Sequence, residues 1–209
     1  MNLSHLGDDE DGGRESVTSP TVTAASPPMR AADDHLRLPA GVVRRPLGGH
    51  TDARGTVAEF FRSEWETGIT PVQWTLTTTG DGVLRGVHVH PRHDDYLCVL
   101  QGRLTVGLRD LRAGSPTEGL AACFDLDGKE LAALFIPHGV AHGLYSKQPS
   151  VYVLGTSHYY DPGDELGCHW TDPALGLAWP FASAATSARD TALPPLREVL
   201  PLIPPWRQA

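Results

Sequence analysis

Three histidines and an aspartate, His88, His90, His93 and Asp95, stand within one short run, GVLRGVHVHPRHDDYLCVLQG, and a fourth histidine follows in Pro137-x-Gly139-x-x-His142. Histidine titrates near neutrality and so suits proton abstraction, and together with carboxylates it is also a ligand for divalent metals. On a strand, residues two apart point the same way, so His88 and His90 share one face while Val87 and Val89 occupy the other. If the histidine face is the inner one, these side chains line a pocket. A strand histidine taken alone is ordinarily a hydrogen-bonded or surface residue, and His93, in the turn PRHDD, reads as a solvated loop residue.

The elements that must hold such a pocket are legible in the punctuation of the chain. From Leu38 onward, short apolar runs (Val83-Leu84, Leu97 to Leu100, Leu134 to Ile136, Val151 to Leu154) alternate with Gly, Pro and Asp clusters. The 22 Gly and 18 Pro suit an antiparallel sandwich or barrel, and no 33- to 45-residue repeat points to a solenoid or propeller. An all-β barrel is expected, because an enclosed mouth is what the histidines need. Near the end of the sequence, Pro194-Pro195 and Pro201 bracket Leu196 to Leu200, leaving room for a short helical segment packed on the barrel surface.

At 209 residues and 40 % hydrophobic, the chain supports one core. Residues 1–37, rich in Gly, Ser, Thr, Pro and acids, read as a disordered tail, and 38–209 as a single domain. A formal charge of -8 gives no general attraction to nucleic acid or to an anionic membrane, so any phosphate must be met by a few placed arginines. The acidic start MNLSHLGDDEDGGRES is no secretory signal and no stretch approaches a membrane span, so a cytoplasmic location is expected. Cys98, Cys123 and Cys168 follow no C-x-x-C spacing and read as small core residues.

Gly82-x5-His88-x-His90-x4-Asp95-x6-Gly102 resembles the first cupin motif, with Asp for its usual Glu. Pro137-x-Gly139-x-x-His142 resembles the second, with Ser146 where an Asn is usual. The resemblance implies a cupin-type double-stranded β-helix, or jelly roll. In its metal-binding members the matching ligand set would be His88, His90, Asp95 and His142.

From about residue 42 to 196 the chain also resembles the dTDP-4-dehydrorhamnose 3,5-epimerases. The shared motifs are Asp52-x-Arg54-Gly55 with Glu59, Gln73, Gly82 to His88, Asp110-Leu-Arg-x-x-Ser-Pro-Thr117, Pro137 to Gly143, Tyr160-Asp-Pro162, Trp170-Thr-Asp-Pro173, Trp179-Pro180 and Ser187-Ala-Arg-Asp190. That family implies a cofactor-free reaction on a dTDP-4-keto-6-deoxy-hexose, in which a base removes the proton next to the C4 ketone and an enolate is reprotonated on the opposite face. Position by position, His88 matches the base and Asp190 the carboxylate that orients it. Arg85 and His142 match pocket residues near pyrophosphate or sugar, and Arg54, Glu59 and Gln73 match residues around the nucleotide. Trp170 and Trp179 read as core or dimer packing. A homodimer is implied.

The sequence departs from the family in four places. Asp95 replaces a lysine near the developing oxyanion, His90 a glutamine, Leu154 a protonating tyrosine and Thr75 an asparagine near the nucleotide. Tyr152, two residues before Leu154, faces the same way on a strand and takes the tyrosine's place among the catalytic candidates. Three readings stay open: a metal-free epimerase with His88 as base; a metal-dependent cupin enzyme with one divalent ion, in which His88 becomes a ligand; and a non-catalytic sugar-nucleotide-binding relative. A single epimerisation, a ketoisomerisation or a related step is favoured over double epimerisation.

Overall fold

The computed structural model describes residues 36–65 and 68–207. The expected tail, up to residue 35, and the domain's final two residues lie outside the described residues. Two five-stranded sheets form the body. The first runs β1 (Val43–Pro46), β9 (Ala132–Ile136), β6 (Asp95–Gln101), β11 (Ser150–Thr156), β4 (Gln73–Thr79). The second runs β12 (Leu166–Gly167), β5 (Leu84–Val89), β10 (Val140–Ser146), β7 (Arg103–Asp110), β8 (Ala121–Asp127), and all these pairings are antiparallel. Strands distant in sequence thus alternate between facing sheets, which is the expected jelly roll. A separate hairpin, β2 (Gly49–Asp52) and β3 (Gly55–Ala58), stands apart as its own two-stranded sheet.

Strand alternation sorts the core. Leu104, Val106 and Leu108 of β7 meet Leu97, Leu134, Ile136, Leu144 and Tyr152 between the sheets. On the outer face of the second sheet, Val87, Val89 and Ala141 pack under Cys168, Leu175, Leu196 and Val199. The C-terminal segment, with short helices α1 (Ala188–Thr191) and α2 (Leu196–Val199), therefore covers that sheet, as the proline spacing predicts. Trp170 and Trp179 join this outer layer. The indole of Trp179 lies so close over Gly107 that a Cβ there would stand 2.4 Å from it, and Gly143 meets the same ring.

Gly102, the last glycine of the first motif, turns β6 into β7 at φ +85°, where a Cβ would stand 2.3 Å from Ser150 Oγ and 2.5 Å from the Pro149 carbonyl oxygen. Only glycine meets both demands. The three cysteines are free; Cys98 and Cys168 are buried and Cys123 is half-buried. None of the described helices is long and apolar enough to cross a membrane.

The motif Asp110 to Thr117 is a structural clamp. The Asp110 carboxylate accepts hydrogen bonds from Arg112 Nε and Nη2, both at 2.8 Å, from Ser115 Oγ at 2.6 Å and from Thr117 Oγ1 at 2.7 Å. Arg112 in turn donates to the Ala40 carbonyl at 2.7 Å and lies over Trp206. Burial opposes the charge on Asp110, but the Arg112, Ser115 and Thr117 donors outweigh it and hold the carboxyl below its ordinary value. Asp110→Ala, which strands a guanidinium only 3 % exposed, is expected to cost about 3–5 kcal/mol in urea unfolding. A depressed folded value means this stabilisation is present above the unfolded carboxyl's value of about 3.9 and is lost as pH falls through the lower folded value.

Candidate active site

Between the two sheets opens a cavity of about 550 Å³, walled by β4, β5, β6, β10 and β11 and by the segment leading into α1. His88, on the inner face of β5, reaches into it. Its Nε2 lies 2.7 Å from Asp190 Oδ1, across a sequence separation of 102 residues. Asp190 is placed by three local devices. Ser187 caps α1, its Oγ accepting from the Asp190 N–H at 3.0 Å, as the S-x-x-D spacing allows. Ala185 pairs with Leu84 and Gly82 through backbone hydrogen bonds, which ties the segment to the start of β5. The Gly86 N–H then donates to Asp190 Oδ2 at 3.2 Å. Gly86 sits at φ +118°, and a Cβ there would stand 2.8 Å from the His142 carbonyl oxygen, so a side chain at this position would displace strand, dyad or both.

Asp190 is 4 % exposed. Burial opposes its charge, but the hydrogen bond and charge of His88 and the Gly86 N–H outweigh it and hold the carboxyl below its ordinary value. An ionised Asp190 takes the Nε2 proton of a neutral imidazole as its donor, which leaves the lone pair on Nδ1. A carboxylate-held imidazole with one free lone pair, in a cavity of substrate size, is an arrangement for general-base chemistry.

The structure brings most, but not all, of the expected site residues to this cavity. Gln73, Arg85, His142 and Tyr152 line it, as do Thr75 and Leu154. Burial raises the Tyr152 phenol above its ordinary value, against an opposing effect of Arg85, so it stays protonated. Arg54 and Glu59 do not line it. Arg54 sits in the turn of the β2–β3 hairpin, its side chain 90 % exposed and paired with Asp52 at 2.6 Å, and Glu59 is exposed and paired with Arg62. Among the described residues the β2–β3 hairpin pairs only with itself, and Glu59 follows directly after it.

Next to the dyad lies a second cluster. His90 Nε2 and His142 Nε2 approach Asp95 Oδ2 at 3.5 and 3.6 Å, and His93 Nε2 approaches Asp95 Oδ1 at 3.5 Å. Burial makes the His142 ring hard to protonate, pushing its value down to about 4 despite Asp95. Of the four residues in the expected ligand set, the structure groups three. Ligand atoms of His90, Asp95 and His142 lie within 4.8 Å of one another, whereas His88 has turned its Nε2 to Asp190. His93 is also corrected: it is only 4 % exposed, stacks on His90 at 3.8 Å and bonds Asp164 through Nδ1 at 2.8 Å. Asp164 and Glu165, beside His90 in the loop after β11, went unread in the sequence. The acidic run Asp161-Pro-Gly-Asp-Glu165, which overlaps the Tyr160-Asp-Pro162 motif, was their available signal.

A jelly roll with a carboxylate-backed histidine at its mouth places the chain among cupin-type enzymes. The family model for dTDP-4-dehydrorhamnose 3,5-epimerase matches residues 39–198. A protein of that description from Mycobacterium tuberculosis is 31 % identical over 173 residues, covering 76 % of this chain and 86 % of the relative. Another from Neisseria gonorrhoeae is 35 % identical over 150 residues, covering 68 % of this chain; the match spans about half (46 %) of that relative's length. Among solved structures, the 3'-monoepimerase ChmJ of Streptomyces bikiniensis in complex with dTDP-quinovose superposes with a TM-score of 0.74 at 28 % identity, over 82 % of this chain and 92 % of that one. The chain belongs to the dTDP-4-dehydrorhamnose 3,5-epimerase family.

Proposed function

We propose that the protein is a sugar-nucleotide epimerase acting on a dTDP-4-keto-6-deoxy-hexose. The observation that carries this is the 2.7 Å contact between His88 and the buried, ionised Asp190 inside the cavity. A C–H bond next to the C4 ketone breaks, its proton passes to His88 Nδ1, and its electron pair moves into an enolate. Asp190 stabilises the imidazolium that forms. A proton then returns to the opposite face of the carbon, and Tyr152, protonated and on the cavity wall, is the donor assigned to it. With Leu154 at the family's tyrosine position, one inversion, at C3 or C5, is favoured over two. These transfers need no redox cofactor.

Arg85 and Gln73 serve the pyrophosphate and nucleotide side, Arg85 because a planar guanidinium donates paired hydrogen bonds to phosphate oxygens. Arg54 and Glu59 do not line the cavity of their own chain, and we assign them to the site of a second copy, in a homodimer. The edge strand β4 offers the surface for it, with Trp74 41 % and Leu76 65 % exposed. Free cysteines fit a reducing compartment such as the cytoplasm.

The decisive experiment incubates the protein with a dTDP-4-keto-6-deoxy-hexose in heavy water. Deuterium is expected at C3 or C5 well above the buffer control. Tight binding of the sugar nucleotide with no deuterium uptake would instead identify a non-catalytic relative. Sedimentation at micromolar concentration is expected to give twice the chain mass, and Leu76→Lys to lower it toward one.

A further inference from the structure

We infer that His90, Asp95 and His142 form a three-ligand site for one divalent cation, distinct from the His88–Asp190 pair and beside it on the cavity wall, where His142 is the cross-strand neighbour of His88. All three are more than nine-tenths buried, at 6 %, 3 % and 7 % exposure. A carboxylate held at that depth needs a counter-charge or close donors. His93 Nε2 partners Asp95 Oδ1 at 3.5 Å, but the His90 and His142 nitrogens stand 3.5 and 3.6 Å from Oδ2, long for hydrogen bonds to that oxygen. The two spacings to Oδ2 match another geometry. Ligand atoms bound to a tetrahedral ion at about 2.0–2.2 Å lie roughly 3.3–3.6 Å from each other.

The His90 ring is also oriented as a ligand. His90 Nδ1 lies 3.1 Å from the Asp164 carbonyl oxygen, a contact in which the ring donates its proton there and leaves the Nε2 lone pair toward Asp95. His93 stacks on His90 and is itself anchored by Asp164, so the ring that carries the lone pair cannot swing away freely. Two neutral imidazoles and one carboxylate suit a first-row divalent ion such as zinc, cobalt, manganese or iron, with positions left over for a substrate oxygen.

The role of the site, unlike its existence, rests on the epimerase reading. When His88 removes the proton, the electron pair of the C–H bond ends on the ketone oxygen. Among the described residues lining the cavity there is no lysine to meet that charge, and Asp95 alone would oppose it. A doubly charged cation reverses the sign of this wall and polarises the ketone as a Lewis acid. The rings of His88 and His142 are 6.5 Å apart, which allows the ketone oxygen on one side and its neighbouring carbon on the other.

The test uses the full chain, stripped with chelator and titrated with Co²⁺. One equivalent is expected to bind with the visible absorption bands of a nitrogen- and oxygen-ligated ion. Asp95→Asn and His90→Gln should each weaken uptake at least tenfold, while His88→Asn should bind as the parent does; thermal melts establish that each variant is folded. Uptake below about a tenth of an equivalent, or uptake unchanged in both ligand variants, overturns the site. Stripping is also expected to slow deuterium exchange at least a hundredfold and Co²⁺ or Zn²⁺ to restore it. Exchange unaffected by stripping overturns the Lewis-acid role and leaves the epimerase reading intact. Cobalt bound at these ligands with no exchange in either state would uphold the site and sink the epimerase reading instead.

Discussion

His88→Asn is expected to reduce deuterium exchange into the keto-sugar by on the order of 10³-fold or more, because asparagine keeps a polar group near Asp190 but has no basic lone pair. The variant should still bind dTDP, since Arg85 and Gln73 are untouched, and should melt close to the parent, since His88 is only partly buried and its replacement is smaller. Exchange within tenfold of the parent would remove His88 as the base and with it the proposed mechanism.

Asp190→Asn is the second large effect, and it works through orientation. In the parent the carboxylate accepts from both His88 and the Gly86 N–H. An asparagine that keeps the Gly86 contact through its carbonyl turns its NH₂ toward His88 and demands an acceptor at Nε2. The imidazole proton then moves to Nδ1, the nitrogen that must accept from substrate. A fall in kcat on the order of 10³ is expected from the wrong tautomer. KM should change little, because the side chain positions the base and does not hold the nucleotide. A variant that raised KM and spared kcat would recast Asp190 as a binding residue.

How much of this was legible depends on the range of the interaction. The alternation of His88 and His90 against Val87 and Val89 is a local property of one strand, and the structure has those valines under the C-terminal layer as the pattern requires. The pairing of His88 with Asp190 spans 102 residues and was available only through the family motif. His93 shows the limit. A histidine between Arg and Asp in a turn looks solvated until Asp164, 71 residues later, arrives to cover it. Arg54 and Glu59 differ again: their motif matches, but neither lines the cavity, and sequence spacing does not say which copy of a chain a residue serves.

The location of Asp190, beyond every strand of the barrel, has a consequence for how the activity comes into being. A polypeptide stopped before Ser187 would still contain both sheets and both cupin-like motifs, yet His88 would have no partner. During synthesis the pair can therefore assemble only after every strand has emerged, when α1 docks on β5.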